Sequence, residues 1–540
     1  MCLILYGSET GNCADLADAL LDQLRRRRLR AVCKPFGESS LAEVLDHGHV
    51  FVLCATTGQG QLPPSAQPFW RELLRRSLKA PVLAPVSLYA FGLGSTAYPK
   101  YNWAIRKIHA RLLQLGAKEA VPRGEGNDMG EPYEYVFDQW LALALSHLDS
   151  QLQVTDVAAG LLPPIRPVRV EAPGVGDSLG MLSLEADPEA NATIVTNQRI
   201  TAQEHFQDVR HIAIALDTPT VYEPGDVVRL YPDNDAATVD AVLASQAWPA
   251  TAQTNLGCTV RDALLKHVDL NAIPRRKFFV LCQHFCAKPA QRERMEEFSA
   301  DLDDLFNYTT RPRRSIAEVV LEFDSLRIPL EYLLDAFPPL RPRQFSIASK
   351  PDSAAPQPTV ELCVAIVKYR TALRRIRRGL CTRWLDQHCP PGTRVRVAFE
   401  ANAMQLARRA AGRPVILVAA GTGIAPIRSW MRNASSEPWL VFGCRNERDF
   451  LYRNEFGNAR VIPAFSQPLD GSPKTYVQHA ISQHPELPVK DALIFVCGSS
   501  GPMPTGVRDA FVELLTAQGL DGEQIIQQKE KSGLYFQETW

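Results

Sequence analysis

The sequence predicts a multidomain α/β protein: a doubly wound domain with a parallel sheet, then an antiparallel β-barrel with a helical insertion, then a second parallel α/β domain. Its 540 residues are too many for one hydrophobic core. Strand–turn–helix units with glycine-rich turns lie towards both ends of the chain, and short runs of alternating apolar and polar residues lie between them. The hydrophobic content of 46% and the charged content of 22% are typical of a chain that is folded throughout.

The first strand–turn–helix unit has the pattern of an anion site. The apolar run 2–6 leads into the small-residue turn 7–12, and leucines at every fourth position predict an amphipathic helix after it. Backbone N–H groups at the helix start, with the hydroxyls of Ser8 and Thr10, would hold a phosphate. The turn contains no lysine, so a single phosphate such as that of FMN fits it better than a triphosphate. An ordinary strand-to-helix turn is the alternative for this motif taken alone.

Two further strands end in polar loops. Residues 50–54 run into the loop 55–60, and residues 87–91 run into the loop 92–98. Three strand ends would then meet at one edge of a doubly wound sheet, where such folds bind ligands. This part of the chain, over about residues 1 to 145, resembles flavodoxin.

The flavodoxin resemblance implies a set of FMN contacts. Tyr98 would stack on the isoalloxazine ring. Thr57 stands where related reductases often carry an aromatic residue, so the other face of the flavin would be less covered, which affects the FMN potential and affinity. The residues expected to bind FMN are Ser8, Glu9, Thr10, Gly11, Asn12, Thr56, Thr57, Gly58, Gln59, Gly60, Leu93, Gly94, Ser95, Tyr98, Tyr101, Asn102 and Asp128.

The charge balance argues against a nucleic-acid partner. Lysine and arginine together number 59, aspartate and glutamate also number 59, and the formal net charge is zero. The one basic cluster, residues 25–28, falls at the end of the predicted first helix. A solvated helix end with a favourable charge–dipole sign is a simpler interpretation of that cluster than a binding patch.

Cysteine usage indicates no metal site. The twelve cysteines are scattered without C-x-x-C pairs. Cys282 and Cys286, with His284 between them, come nearest to a ligand set, but this pattern is more often core packing. Reduced thiols are typical of a cytoplasmic protein. The chain begins directly on a strand and has no run of about 18 apolar residues, so neither a signal peptide nor a membrane span is expected.

A change of composition marks the first domain boundary. After a helix that should end near His147, residues 149–185 are rich in Pro, Gly, Val, Ser and Ala. This segment predicts a tether that lets the first domain reorient. The expected organisation is a first domain at 1–148, a linker at 149–187, a barrel at 188–405 with an insertion at about 236–334, and a last domain at 406–540.

The middle region reads as an antiparallel barrel. Short alternating runs such as 211–216 and 227–230 predict its strands, and the pattern resumes at 343–349 after the helical insertion. It resembles the ferredoxin–NADP reductase fold with the insertion of cytochrome P450 reductase relatives. A plain edge strand is the alternative for the R-x-F-S motif at residues 343–346 taken alone, and beside the other motifs it becomes a minor one.

The resemblance of the barrel implies an FAD site. Arg343 and Thr382 would bind the pyrophosphate, Phe345 would lie against the isoalloxazine, and the Ser346 hydroxyl would lie near the flavin nitrogen that accepts hydride. A hydroxyl can hydrogen-bond a nitrogen on which charge develops without itself ionising at neutral pH. The expected FAD-binding residues are Arg343, Gln344, Phe345, Ser346, Gly379, Leu380, Cys381, Thr382 and Trp540.

The last domain has the pattern of a Rossmann-like nucleotide-binding fold. The apolar run 415–418 leads into the turn 421–426, whose glycines would let a pyrophosphate approach a helix start. By resemblance to reductases, NADPH would be held by Thr422, Arg445, Ser466, Lys474, Tyr476 and Gln478. Gln467 stands where an arginine is common, and losing one cation would relax the preference for NADPH over NADH by about 1–3 kcal/mol.

Three residues would complete the hydride site with Ser346, again by resemblance. Cys497 would lie beside the nicotinamide carbon, Glu538 would stabilise developing charge, and Trp540 would stack on FAD until nicotinamide displaces it. Glu538 replaces the aspartate of many relatives. An apolar run at 534–536 leads into the terminal tryptophan, which favours docking over a frayed end.

Apart from the linker, the whole chain resembles the diflavin reductase family of the cytochrome P450 reductase type. The resemblance implies hydride transfer from NADPH to FAD, single-electron transfer to FMN and delivery to an external acceptor protein. The stretches TTGQG, FGLGS, QFSIAS, FGCRNERDFLY, CGSSGPMP and QETW are most similar to cytosolic NADPH-dependent diflavin reductases that reduce an anamorsin-type protein of iron–sulfur cluster assembly. The expected protein is a monomer.

Two alternatives to this function stay open. The chain could be a diflavin reductase for another acceptor, of the cytochrome P450, sulfite reductase or methionine synthase type. Less expected is a non-catalytic scaffold of the same fold. A candidate docking surface for a basic partner is the acidic set Glu125, Asp128, Glu131, Glu134 and Asp138. A solvated acidic face is an equally good interpretation of that set.

Overall fold

The computed structural model describes residues 1–58, 60–98, 100–129, 132–170, 191–351, 358–371, 373–401, 406–432 and 437–539, with only the backbone at 406 and 407. Gln59, Glu131, Trp540 and the linker residues 171–187 therefore lie outside the described residues. The chain forms two compact units. Unit 1 comprises Met1–Pro164, Arg275–His284 and Pro289–Phe306, and unit 2 comprises Ile165–Pro274, Phe285–Lys288 and Asn307–Trp540.

Unit 1 is built on a parallel sheet with helices between the strands. In chain order its first elements are β1 (Cys2–Gly7), α1 (Asn12–Arg26), β2 (Ala31–Pro35), α2 (Leu41–Leu45), β3 (His49–Ala55), α3 (Gln67–Leu73), β4 (Ser87–Gly94), α4 (Trp103–Gln114), β5 (Lys118–Glu119), β6 (Gly124–Asn127) and α5 (Tyr133–Leu152). The strand order is β2-β1-β3-β4-β5, and β6 also pairs with β4. The predicted doubly wound first domain is therefore confirmed.

Apolar burial explains this sheet. The side chains of β1 and β3 are almost all buried, as expected for parallel strands covered on both faces. On α1, Leu16, Leu20 and Leu24 lie on the buried face, which confirms the predicted amphipathic helix. Helix α5 continues to Leu152, beyond the predicted end near His147.

The barrel strands and the insertion follow. They are β7 (Ala192–Arg199), β8 (Val209–Leu216), β9 (Val227–Tyr231), α6 (Ala236–Gln246), α7 (Val260–Lys266), α8 (Arg276–Cys282), α9 (Pro289–Ala300), α10 (Leu302–Leu305), α11 (Ile316–Glu322), α12 (Leu333–Ala336), β10 (Arg343–Ser346), β11 (Thr359–Ala365), β12 (Lys368–Arg370), β13 (Ile376–Arg378), α13 (Leu380–His388) and β14 (Arg394–Glu400). Six of these strands form one antiparallel sheet in the order β10-β9-β14-β7-β8-β11. A bridge between Ile347 and Leu362 joins its two edges, so the sheet closes into the predicted barrel.

The last elements of unit 2 form the second parallel α/β fold. They are α14 (Leu406–Ala410), β15 (Val415–Ala420), α15 (Ile424–Met431), β16 (Trp439–Cys444), β17 (Arg460–Phe465), α16 (Val477–Ser482), β18 (Leu493–Gly498), α17 (Pro502–Ala517), α18 (Gly522–Ser532) and β19 (Tyr535–Thr539). The strand order is β17-β16-β15-β18-β19. Alternate residues of β15 enter two hydrophobic cores: Ile416 and Val418 lie in one, and Leu417 and Ala419 lie in the other.

Helices α8 to α10 belong to unit 1, where a basic triplet joins α8 to the parallel-sheet fold. Arg275 pairs with Asp15 at 2.5 Å and Lys277 with Asp18 at 2.8 Å. Arg276 pairs with the carboxylate of Asp138. Positive charges at the N-terminal end of a helix interact unfavourably with the helix dipole. These three cations are therefore stabilised by their acidic partners on α1 and α5 and not by their own helix.

The arginine run 25–28 does not form the solvated helix end that the sequence suggested. It holds the chain that follows α5: the Arg25 guanidinium donates to the carbonyl of Pro163 at 2.6 Å, and that of Arg26 to the carbonyl of Gly160 at 2.9 Å. Arg27 pairs with Asp149 at 2.7 Å, and Arg28 with Asp156 at 3.0 Å. Residues 149–163 are therefore fixed to unit 1. No composition pattern could reveal this, because the partners lie more than 100 positions away in the sequence.

Candidate functional site

The loop after β1 leaves a helix start open to an anion. Gly11, with a φ of 101°, precedes α1, and no side chain caps that helix. The Gly11 N–H donates to Ser8 Oγ at 3.0 Å, which closes the loop into a compact turn. The first N–H groups of a helix have no partner within the helix. The turn therefore fits a phosphate, and it carries the predicted residues Glu9, Thr10 and Asn12.

The other loops expected to bind FMN lie at the same edge of the sheet. They follow the carboxyl ends of β3, β4 and β6, which are neighbours in parallel register. The Asp128 N–H donates to the carbonyl of Gly94 at 2.9 Å, and the Thr56 N–H donates to that of Leu93 at 2.8 Å. Tyr98 is 38% exposed, as a stacking side chain should be before its ligand covers it. The structure thus brings together residues Thr56, Thr57, Gly58, Gly60, Leu93, Gly94, Ser95, Tyr98 and Asp128.

Two predicted FMN ligands have side chains that brace this edge. Asn102 is fully buried, and its Nδ2 donates to the carbonyl of Gly126 at 3.1 Å, while its buried Oδ1 has no hydrogen-bond partner in the described part of the chain. The Tyr101 hydroxyl donates to the carbonyl of Glu125 at 3.1 Å. Both side chains join the loop after β4 to β6. Their expected contact with the cofactor remains a prediction.

The start of α13 is the corresponding anion site in unit 2. Gly379 precedes the helix and gives it no side-chain cap, so the N–H groups of Leu380 and Cys381 face an open helix start. Thr382 is buried, and its Oγ1 accepts from the Val367 N–H at 3.1 Å. Its hydroxyl therefore fixes the strand-to-helix turn, and the helix start is the part that fits a pyrophosphate. Burial raises the pKa of the Cys381 thiol to about 12, so it stays neutral.

The predicted FAD residues on β10 lie side by side, paired with β9. Arg343 donates to the carbonyl of Arg341 at 2.6 Å and lies 3.6 Å from the carboxylate of Asp269. The Gln344 amide donates to Glu400 at 3.1 Å. Phe345 packs at the edge of the barrel core. The arginine is oriented by an aspartate and remains partly exposed, which suits a group that must meet a phosphate.

Ser346, Cys497 and Glu538 meet where the barrel and the second parallel fold join within unit 2. The Ser346 hydroxyl donates to Glu538 Oε1 at 3.0 Å. Glu538 on β19 lies opposite Cys497 on β18, and Cys497 lies opposite Ala419 on β15. Two strand registers and one side-chain hydrogen bond therefore define this cluster, which we call the candidate hydride centre.

Burial controls the protonation of the candidate hydride centre. Desolvation raises the pKa of Glu538 to about 7, although the hydrogen bond from Ser346 opposes the shift. Its second oxygen, Oε2, is buried and has no hydrogen-bond partner among the described residues. Burial also raises the pKa of the Cys497 thiol, so it is a neutral group and not a thiolate. A buried, unpartnered carboxyl oxygen beside a neutral thiol fits a site for a polar group that can hydrogen-bond to that oxygen.

The glycine turn before α15 touches this cluster. A Cβ at Gly423 would lie 2.2 Å from the carbonyl oxygen of Cys497, so only glycine fits there. The neighbouring Thr422, predicted to bind NADPH, is half-buried. The turn and the end of β18 are therefore in direct contact, and the predicted pyrophosphate turn lies against the candidate hydride centre.

A buried arginine, which no sequence motif indicated, holds α15 in place. Arg428 is buried, and it donates to the carbonyl of Ala348 at 2.8 Å, to Glu361 at 2.5 Å and to Glu455 at 2.6 Å. Its guanidinium also lies 4.3 Å from the centre of the Tyr452 ring. This network holds the helix of the glycine turn against the barrel. The signal in the sequence is an arginine within the otherwise apolar stretch IAPIRSWM.

The residues expected to bind the adenosine end of NADPH lie beyond the carboxyl ends of β16 and β17. The Ser466 N–H donates to the carbonyl of Cys444 at 3.0 Å, and the Gln467 N–H to that of Arg445 at 2.8 Å. Arg445, Gln467, Lys474 and Tyr476 are exposed, and Ser466 and Gln478 are half-buried. The exposed cations leave room for a 2′-phosphate. Gln467 adds no charge, as expected.

Two of the five residues in the acidic set form ion pairs inside unit 1. Glu125 pairs with Arg106 at 2.5 Å and with Arg123 at 2.9 Å, and the Asp138 carboxylate pairs with Arg276. Glu131 lies outside the described residues. The charges of Glu125 and Asp138 are therefore balanced within unit 1, and the docking surface as a whole stays a prediction.

Among the described residues, no group of three or more His, Cys, Asp or Glu side chains could hold a metal ion. The twelve cysteines are thiols and form no disulfide bonds with one another. The expected absence of a metal site stays a prediction. None of the described helices combines the length and the hydropathy needed to cross a membrane.

Three family models match the chain in the order in which the sites occur along it. A flavodoxin family model matches residues 4–140, a FAD binding domain model matches 185–384, and an oxidoreductase NAD-binding domain model matches 417–509. Over 593 aligned residues the chain is 35% identical to NADPH-dependent diflavin oxidoreductase 1 of Schizosaccharomyces pombe, and 99% of each chain is covered. The chain belongs to the NADPH-dependent diflavin oxidoreductase family.

Further relatives agree on this diflavin oxidoreductase assignment. The chain is 36% identical to NADPH-dependent diflavin oxidoreductase 1 of Debaryomyces hansenii, with 99% of this chain and 98% of the relative covered. It is also 36% identical to that of Yarrowia lipolytica, with 99% and 88% covered. The protein is therefore an NADPH-dependent oxidoreductase that uses FMN, FAD and NADPH, as predicted. The roles of the individual site residues remain predictions.

Proposed function

We propose that this diflavin oxidoreductase delivers electrons from NADPH to an anamorsin-type iron–sulfur protein of cytosolic iron–sulfur cluster assembly. The proposal of that acceptor rests on the similarity of the stretches CGSSGPMP and QETW to reductases of this class. The contact of Ser346 with Glu538 beside Cys497 is the observation that carries the hydride step. We further propose that the protein is a monomer. We also propose a cytoplasmic location, because cysteines without disulfide bonds are typical of a reducing compartment.

The residues of the chain would divide the work between two sites. The helix starts of α13 and α1 would hold the pyrophosphate of FAD and the phosphate of FMN. FAD, when bound, supplies hydride acceptance and single-electron release, which no side chain can provide. Ser346 would offer its hydroxyl to the atom on which charge develops, and Glu538 would keep that hydroxyl oriented. The neutral Cys497 thiol would pack beside the reacting ring without attacking it.

The exposed loop around Tyr98 would be the exit for electrons. An acceptor protein must approach a flavin edge closely, and a half-exposed aromatic on a surface loop permits this approach. The candidate hydride centre has the opposite property, because Cys497 is fully buried and its surroundings exclude water from the reacting groups.

Variants of Ser8 separate the reduction of FAD by NADPH from the transfer of electrons through FMN. Ser8→Asp places a carboxylate where the FMN phosphate would lie, whereas Ser8→Asn is neutral and of the same size. Both can still accept the Gly11 N–H. We expect Ser8→Asp to lose FMN and the reduction of the anamorsin-type protein while NADPH-dependent reduction of ferricyanide continues. Ser8→Asn should keep both activities.

The acceptor is tested in the same assay with the unmodified protein. Rapid reduction of the anamorsin-type protein under anaerobic conditions supports the proposal. Reduction of cytochrome c without reduction of the iron–sulfur protein would reject this acceptor and leave the diflavin mechanism intact. No bound flavin and no NADPH oxidation would leave only the scaffold alternative.

A further inference from the structure

Phe206 is an exposed aromatic side chain on a rigid turn. It lies between β7 and β8 and is 68% exposed. The Arg199 guanidinium donates to the carbonyls of Ala202 at 2.8 Å and His205 at 2.7 Å, and the Thr201 hydroxyl donates to the carbonyl of Gln207 at 2.9 Å. These hydrogen bonds fix the turn that carries the Phe206 ring at the surface.

The turn is also attached to the nucleotide-binding fold of unit 2. The Ala202 N–H donates to the carbonyl of Arg448 at 2.9 Å. The buried His205 faces the carboxylate of Asp449 at 3.8 Å. Asp449 in turn accepts from the backbone N–H of Arg445 at 3.0 Å. Phe206 therefore keeps a fixed position relative to the loop that follows β16.

The ring holds the side chain of Arg445. The guanidinium carbon lies 4.2 Å from the centre of the Phe206 ring, and Nη1 lies 3.5 Å from Gln467 Oε1. Within the described residues, no carboxylate lies within ion-pair distance of this guanidinium. Arg445 is thus oriented by an aromatic face and an amide, neither of which neutralises it, and its charge is left available for an anion.

We propose that Phe206 is a specificity-determining residue that fixes Arg445 for the 2′-phosphate of NADPH. The inference rests on the proposed placement of the dinucleotide against Ser466, Lys474 and Tyr476. Gln467 supplies no cation there, so the preference for NADPH depends on the cations that remain. An arginine held flat on a ring loses less rotamer freedom when it binds a phosphate. Phe206 belongs to the barrel, so residues of the barrel and of the nucleotide-binding fold would together select the nucleotide.

The test compares 2′,5′-ADP with 5′-AMP, two probes that differ only in the 2′-phosphate. Binding to the flavin-loaded protein is measured by calorimetry, together with KM and kcat for NADPH and NADH. We expect Phe206→Ala to weaken 2′,5′-ADP binding about five- to tenfold, and 5′-AMP binding less than twofold. KM for NADPH should rise, while kcat and the NADH parameters stay within about twofold. Phe206→Trp keeps an aromatic face and should behave like the unmodified protein.

Two further variants make the result decisive. Val221→Ala trims another exposed apolar side chain of the barrel, 91% exposed, and should change neither binding constant. Arg445→Ala should weaken 2′,5′-ADP binding at least as much as Phe206→Ala. If Arg445→Ala weakens binding and Phe206→Ala does not, or if Phe206→Ala weakens both probes equally, the role of Phe206 is wrong. If neither variant affects 2′,5′-ADP, the proposed placement of the dinucleotide is wrong as well.

Discussion

The candidate hydride centre and the loops expected to bind FMN are held in different ways. Ser346, Cys497 and Glu538 lie on three strands, and paired registers and a 3.0 Å hydrogen bond set their positions. The FMN loops follow strand ends and hold one another mainly through backbone contacts, with Tyr98 exposed. Hydride transfer requires a dry, preorganised cluster, whereas single-electron delivery requires access for a partner. Paired strands therefore fix the buried candidate hydride centre, and loops at a sheet edge leave the FMN site accessible to a partner.

The largest expected effect comes from the glycine that touches Cys497. Gly423→Ala would push a methyl group into the backbone of β18, which cannot move without disturbing the candidate hydride centre. We expect NADPH-dependent ferricyanide reduction to fall by about 100-fold, with bound FMN retained. Steady-state kinetics and flavin analysis check this. Gly48→Ala is the matched control, because a Cβ there meets nothing within 4 Å. Near-normal activity of Gly423→Ala would mean that the centre is not rigid.

The ion pairs of Arg428 in unit 2 and of Arg276 in unit 1 differ in how far the arginine is buried. Arg428 is 4% exposed, and its partners Glu361 and Glu455 are 23% and 40% exposed, whereas Arg276 and Asp138 of unit 1 are each about 40% exposed. Removing the buried arginine removes its charge-assisted hydrogen bonds to both carboxylates, so Arg428→Met should destabilise the protein by about 1.5–3 kcal/mol. Arg276→Met should cost less than about 1 kcal/mol. Thermal unfolding of the two variants measures this difference, and equal losses would remove the distinction between the buried and the exposed pairs.

The raised pKa of Glu538 predicts a pH dependence of the free energy of unfolding. Its pKa in the folded chain is about 7, compared with an ordinary value of 4.5. Between these values the folded state keeps a proton that the unfolded state releases. Its contribution to stability therefore falls as pH rises through this window, by about 3 kcal/mol in total. In flavin-free protein, Glu538→Gln should reduce the slope of stability against pH in this window, as measured by denaturant titrations.

Glu523 supplies the control for that titration. Hydrogen bonding with Arg508 lowers its pKa to about 2, so its effect lies below the window. Glu523→Gln should leave the slope between about pH 4.5 and 7 unchanged. An unchanged slope in Glu538→Gln would show that another group carries the pH dependence.

Local patterns in the sequence predicted local structure. The run 2–6, the small-residue turn and the leucine spacing predicted β1, the anion turn and α1, because all three depend on neighbours in the chain. Family resemblance, and not spacing, proposed the cluster of Ser346 and Glu538, which are 192 positions apart. The fold class, the enzyme class and the three cofactors could be predicted in this way.

Other features could not be predicted, because tertiary partners define them. Arginine is a residue type usually found at the surface, yet Arg428 is buried and pairs with Glu361 and Glu455. Phe206 would have been expected in a core and is exposed. The charge of Glu125 could be counted, but its neutralisation by Arg106 and Arg123 could not. In each case the sequence shows the residue type, and only the fold shows the partner.

The most direct test of the account follows flavin absorbance after anaerobic mixing with NADPH in Ser346→Ala, Ser8→Asp and the unmodified protein. Losing the Ser346 hydroxyl removes one oriented donor and leaves Glu538 without its partner. We therefore expect the first phase of flavin reduction to slow by about 10- to 100-fold in Ser346→Ala. The same phase should stay within about twofold in Ser8→Asp, with the later phase lost. Ser346→Ala reduced at the rate of the unmodified protein would contradict the assignment of the hydride centre.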